Sequence, residues 1–111
     1  MSLYAEYLLE REGKHIIEKV YGFCTYEISG DYIYLADIYI KKEHRELGLG
    51  KIFLAEIEHR GKQNNCKYVL GSFCLKANNW KTSKKVLQKV GFKYFSKNRG
   101  NKMIYLVKEI K

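Results

Sequence analysis

Ile38-Tyr-Ile-Lys-Lys-Glu-His-Arg45-Glu-Leu-Gly48-Leu-Gly50-Lys51, passing straight into Ile52-Phe-Leu-Ala-Glu-Ile57, is the stretch whose reading decides the fold. It joins the end of an apolar strand, an Arg-x-x-Gly-x-Gly turn and the start of a helix. A helix start leaves backbone N–H groups unpartnered and carries the positive end of the helix dipole, so an anion fits there. Gly48 and Gly50 let the main chain turn tightly and come close to a bulky diphosphate, while Arg45 and Lys51 add charge at the rim. The stretch reads as a phosphate cradle.

Outward from the cradle, the chain divides into short elements. Ser2 is placed to cap a first helix with Leu3, Tyr7 and Leu8 at helical spacing, running to about Glu12 and stopped by Gly13. Val20 to Ile28, a turn at Ser29-Gly30-Asp31, and Tyr32 to Ile40 predict a hairpin, with Ile16-Ile17 beginning or preceding it. The helix after Gly50 carries Phe53, Leu54 and Ile57 on one side and should end between Gly61 and Asn65. Lys67 to Cys74 then reads as a buried strand. Strand, helix and strand in succession imply a right-handed parallel connection, which places it beside Tyr32 to Ile40. A second helix from Trp80 to Val90 has Ser83, Val86, Leu87 and Val90 on its core face and Lys81, Lys85 and Lys89 opposite. Phe92 to Ser96 and Met103 to Val107 close the chain as a hairpin across Asn98 to Asn101. An exposed edge at Met103 to Val107 would let the chain pair with a second copy, so monomer and homodimer both stay open.

The turn resembles motif A of the GNAT superfamily of acyl-CoA-dependent N-acetyltransferases, Arg/Gln-x-x-Gly-x-Gly/Ala set five residues beyond a central strand, the spacing from Ile40 to Arg45. Downstream, Ser83-Lys-Lys-Val-Leu87-Gln-Lys-Val-Gly91-Phe92 is similar to the family's motif B helix closing on its Gly-Phe pair. The resemblance covers residues 20 to 109, and small phage-encoded members look most similar in overall pattern. It implies an α/β (α+β) fold of acyl-CoA N-acyltransferase type: a mixed central sheet of five to six strands with a splayed parallel pair, flanked by three helices. With 111 residues the chain is read as one domain, residues 1–111. Only some twenty residues precede the hairpin, so the acceptor-side N-terminal region is expected to be reduced.

Composition narrows the function class. Hydrophobic residues make up 46% and charged residues 30% of the chain, a folded composition. No apolar run approaches the ~20 residues that span a bilayer, and the acidic N-terminus lacks a signal peptide's layout, which points to the cytoplasm and away from membranes. Cys24, Cys66 and Cys74 lack metal-ligand spacing and read as reduced, mostly inert thiols; no metal site is expected. His15, His44 and His59 are scattered without a nucleophile partner. The net charge of +9 is unevenly spread: residues 1–60 hold eight Lys/Arg against eleven Asp/Glu, and residues 61–111 hold thirteen against one. The basic half is either a solubilising surface or a site for an acidic partner such as nucleic acid.

The resemblance also assigns roles. The strand bulge that admits pantetheine should fall at Ile38, Tyr39 and Ile40, and the backbone from Arg45 through Glu46, Leu47, Gly48, Leu49 and Gly50 to Lys51 should hold the pyrophosphate of acetyl-CoA. Asp37 leads as the group that receives the amine's proton; the competing reading is a carboxylate that binds a strand end or an arginine. Tyr34 and Tyr39 are core or groove aromatics or catalytic hydroxyls. Leu87 stands where many members carry the tyrosine that protonates the leaving thiolate, so Tyr94, Ser83, water or no acid at all takes that place. Trp80 occupies a position where members often have a cofactor-binding asparagine, leaving an offset contact from Asn79. The expected activity is direct, acetyl-CoA-dependent acetylation of an amine, on a small cationic molecule or on a protein lysine or N-terminus. The alternative is a catalytically weak or inactive module that engages nucleic acid or an acidic protein through the basic half.

Overall fold

Strands of alternating burial and helices with one apolar stripe assemble around a single sheet in the computed structural model, which describes residues 2–111. In chain order the elements are α1 (Leu3–Glu12), β1 (His15–Lys19), β2 (Gly22–Ser29), β3 (Tyr32–Ile40), α2 (Leu49–Gln63), β4 (Tyr68–Cys74), α3 (Trp80–Lys89), β5 (Lys93–Asn98) and β6 (Met103–Glu109). The six strands lie in the order β1-β2-β3-β4-β6-β5, all antiparallel except the parallel pair β3 and β4.

Both β3-α2-β4 and β4-α3-β5 step across the sheet in the same direction, so the right-handed rule sets α2 and α3 on one face. Side-chain neighbours agree. A Cβ on Gly61 of α2 would meet Ile33 of β3, and one on Gly71 of β4 would meet Leu87 of α3 and Phe92. The core lies on this face: Ile33, Phe53, Ile57, Val69 and Leu106 are all but sealed from solvent. Each such side chain contributes about 1.5–3 kcal/mol relative to exposure. Arg60 of α2 donates to the Tyr26 hydroxyl at 2.7 Å, and Lys19 pairs with Glu56, a contact that holds its ammonium above the ordinary lysine pKa.

α1 packs on the opposite face, over the β1 side. The Ser2 hydroxyl accepts from the Ala5 N–H as the helix cap and also donates to the Glu18 carboxylate on β1. Gly13, at φ 69, stops the helix as its sequence predicts. The buried stripe differs from the expected one, however. Ala5 and Leu8 face inward while Leu3 and Tyr7 are exposed, because one isolated helix on a sheet edge covers only a narrow band.

Two other expectations change. Val20 and Tyr21 do not open a strand; they form the turn between β1 and β2, and Val20 is solvated. Met103 to Val107 is not an edge, because β6 inserts between β4 and β5 and makes β5 the outer strand. Chain order had suggested that the last strand lies outermost, whereas the crossover from β4 skips one strand width and leaves the space that β6 fills. In α3, Val86 stays exposed although it falls on the predicted core stripe; Leu87 and Trp80 carry the packing, Trp80 stacked 6.1 Å from Phe73.

Two outcomes test this packing. At Gly22 an added Cβ would collide with the Tyr39 carbonyl oxygen, so Gly22→Ala should part β2 from the end of β3 and cost roughly 1–3 kcal/mol in denaturant unfolding. Burial pushes the Cys24 thiol up from 9.0 to about 12. A thiol reagent should therefore label the less buried Cys74 first and reach Cys24 only on unfolding. The neutral thiol's share of stability is complete below 9.0, the unfolded value, and is lost as pH rises toward about 12. Unfolding followed against alkaline pH in wild type and Cys24→Ala reads that difference.

Candidate functional site: a cleft between parallel strands

β3 and β4 pair at three positions, Tyr32 with Tyr68, Ile33 with Val69 and Tyr34 with Leu70, and then separate. Beyond that point β3 follows β2 as far as the Gly22–Ile40 pair, while β4 follows β6 as far as Cys74–Met103. Backbone N–H and C=O groups on the inner edges of both strands are left facing a gap, where an extended ligand could take up the missing pairing. The bulge that turns β3 away is at Ala36, the extra residue between the Tyr26–Leu35 and Thr25–Asp37 pairs. Expected at Ile38 to Ile40, it comes earlier in the strand. The Thr25 hydroxyl, almost fully buried, donates to Asp37 Oδ2 at 2.7 Å and fixes the register on the far side of the bulge.

At the mouth of this gap lies the glycine turn. After a single 3₁₀ turn at Lys42–His44 the chain extends through Arg45, takes positive φ at Glu46 and Gly48, and enters α2 at Leu49. Among the described residues α2 has no side-chain cap and no acidic residue in its first turn, so no side chain of its first turn offsets the positive end of the helix dipole. A Cβ at Gly50 would approach only Ile38 Cδ1, at 4.0 Å, which leaves open space above the backbone. Arg45 is held in place: Nε donates to the Ile40 carbonyl at 2.9 Å, and the guanidinium lies 5.6 Å from the centre of the Tyr39 ring. Tyr39 in turn stacks on Phe23 at 5.8 Å. Ile38, Tyr39, Ile40 and the run from Arg45 to Lys51 thus form one continuous rim.

α3 begins at the same edge of the sheet, because both helices follow the C-terminal ends of parallel strands. Asn79 is its N-cap residue with no side-chain cap bond, and its carbonyl accepts from the Ser83 N–H at 3.1 Å. Both residues therefore lie in the first turn of the helix that follows β4. Leu87 packs over Gly71 with Phe92 and offers no hydroxyl. Tyr94 is not brought to the cleft: it lies on the outer strand β5, three strand spacings or roughly 14 Å from β3, with its ring exposed.

One hydroxyl pair was not foreseen. Tyr34 and Ser72 hydrogen bond at 2.6 Å and bridge β3 to β4 where their backbones part. Thr25, the partner of Asp37, was missed as well. Both pairings depend on cross-strand register, which the pattern within one strand does not reveal. Asp37, Thr25, Tyr34 and Ser72 all point, by strand alternation, to the face away from α2 and α3. Concavities of 440 and 610 Å³ lie instead along the outer side of α2, beside His59, and contain none of these groups.

This arrangement has known counterparts. Among curated proteins no relative matches the chain. A protein from Desulfovibrio desulfuricans assigned to the GNAT family superposes with TM-score 0.78 at 18% identity, covering 96% of this chain and 75% of that one. A Bacillus subtilis acetyltransferase in complex with CoA gives 0.72 at 13%, covering 97% and 83%. PaiA N-acetyltransferase from Thermoplasma acidophilum, in complex with coenzyme A, gives 0.70 at 20% and covers 80% of this chain but 53% of its own. At these identities the likeness establishes the fold, and acetyl-CoA is the co-substrate of the family that shares it. The sequence profile of the acetyltransferase (GNAT) family matches residues 3–92, so with both fold and profile in agreement the chain belongs to that family.

Proposed function

We propose that this chain binds acetyl-CoA in the β3–β4 cleft and transfers the acetyl group directly to an amine. The observation that carries the reading is the cleft itself, whose unpaired strand edges lead to an uncapped helix start with open space over Gly50. N–H groups from Arg45 to Lys51 hold the pyrophosphate, Ile38, Tyr39 and Ile40 pair with the pantetheine arm, and Asn79 and Ser83 contact it from the β4 side. Tyr39 acts through Arg45, as the ring that steadies the guanidinium.

Acetyl-CoA supplies an activated thioester carbonyl. Asp37, directly or through one water, takes the proton of the incoming ammonium. The new N–C bond forms as the C–S bond breaks, and the electron pair leaves on the CoA sulfur. Tyr34 and Ser72, hydrogen bonded across the parting strands, supply the hydroxyl that Leu87 cannot. Cys24 takes no part as an acyl carrier, since its buried thiol resists ionisation. Asp37 and Glu27 share the face away from α2 and α3, which favours a cationic acceptor, either a small amine or a protein lysine or N-terminus. α1 is the one helix described on that face, and residues 1–111 are read as a single domain.

Calorimetric titration should show acetyl-CoA and CoA binding, weakened about tenfold or more by Gly50→Val, which fills the space above the turn. Absence of binding by wild type at about millimolar ligand, a free energy near −4.1 kcal/mol, would sink the proposal. Asp37→Asn should lower kcat by about 10²–10⁴ with acetyl-CoA affinity retained, and Thr25→Val should reproduce part of that loss by freeing the carboxylate. Tight CoA binding with no amine acetylated would identify a binding module in place of an enzyme.

A further inference from the structure

The β5–β6 hairpin gathers charge that the acetyl-CoA cleft does not use. Lys93, Lys97, Arg99 and Lys102 are all exposed on or beside the free edge of the sheet. Between them, Tyr94 and Phe95 are 64% and 62% exposed. A bulge between Tyr94 and Ser96 removes Phe95 from the regular alternation, so two consecutive rings stand clear of the core. Large rings on an unpaired strand edge invite a partner.

We infer that this edge is a binding surface for single-stranded nucleic acid, with Tyr94 and Phe95 stacking on bases and the four cations tracking phosphates. The chemistry selects this occupant. A second copy pairing two-fold and antiparallel along β5 would set Lys93 and Lys97 against the same residues of its partner, a like-charge arrangement that opposes pairing. An acidic peptide satisfies the cations but gives the rings nothing to stack on. Duplex nucleic acid keeps its bases stacked out of reach. A single strand satisfies both halves of the surface, since every base has a π-face and every nucleotide a phosphate. Along β5 the track from Lys93 to Arg99 extends roughly 20 Å at ~3.4 Å per residue, enough for a few nucleotides.

The test is fluorescence anisotropy of the full chain with labelled oligothymidylate and oligouridylate at several salt concentrations. Binding is expected, with log K falling as log salt rises. Tyr94→Ala with Phe95→Ala should weaken it about tenfold or more at fixed salt and leave the slope unchanged. Lys97→Ala with Arg99→Ala should flatten the slope by about 1. Circular dichroism and acetyl-CoA titration of the same variants check folding; if the alanine pair does not fold, Tyr94→Leu with Phe95→Leu keeps apolar bulk and removes the rings. Three results would overturn the inference: no binding of either oligonucleotide at low salt, ring variants that bind like wild type, or equal competition by duplex DNA or polyglutamate.

Discussion

Everything in this molecule turns on how briefly β3 and β4 stay together. Three residue pairs join them, and at Ala36 one extra residue sends β3 off with β2. A regular parallel pair would satisfy all of its own hydrogen bonds and leave no place for a ligand backbone. By parting early, the two strands expose the polar groups that a sheet ordinarily conceals, at the end of the sheet where α2 and α3 begin. The Gly22–Tyr39 contact and the Thr25–Asp37 bond keep the departing segment of β3 tied to β2, so the opening has a fixed shape.

The two faces of the sheet divide the work. One face is sealed by α2 and α3 over Ile33, Val69 and Leu106, and it supplies most of the buried apolar surface. The other carries α1 near β1 and bears several hydroxyl and carboxylate side chains, Tyr34, Ser72, Thr25 and Asp37 among them. Most of the buried apolar packing therefore lies on one side of a single layer, and the hydrogen-bonded hydroxyl and carboxylate pairs lie on the other.

Much of this was legible because it is local. The Gly48–Gly50 turn, the Ser2 cap, the Gly13 stop and the Phe53–Leu54–Ile57 stripe are each written within one helix or turn, and each stands where its spacing places it. The positions of Ala36, Tyr34 and Ser72 are not local. Tyr32 to Ile40 carries large aliphatic or aromatic side chains on both faces, so its pattern gives no sign of where an extra residue enters. The Tyr34–Ser72 bond joins residues 38 apart, and β6 reaches its place between β4 and β5 by a topology that chain order hides. Motif resemblance also offered Tyr94 for an acid role that strand order puts out of reach.

Considered as a mechanical object, the sheet is two three-stranded ribbons, β1-β2-β3 and β4-β6-β5, riveted along a seam of three residue pairs. The first ribbon belongs to the half of the chain with more acidic than basic residues, and the second to the half with thirteen cations and a single acid. The seam thus joins bodies of opposite charge, which attract each other across it. Any backbone-like ligand lying in the cleft lengthens the row of rivets, so the occupant would serve as a structural splice between the ribbons as well as a reactant.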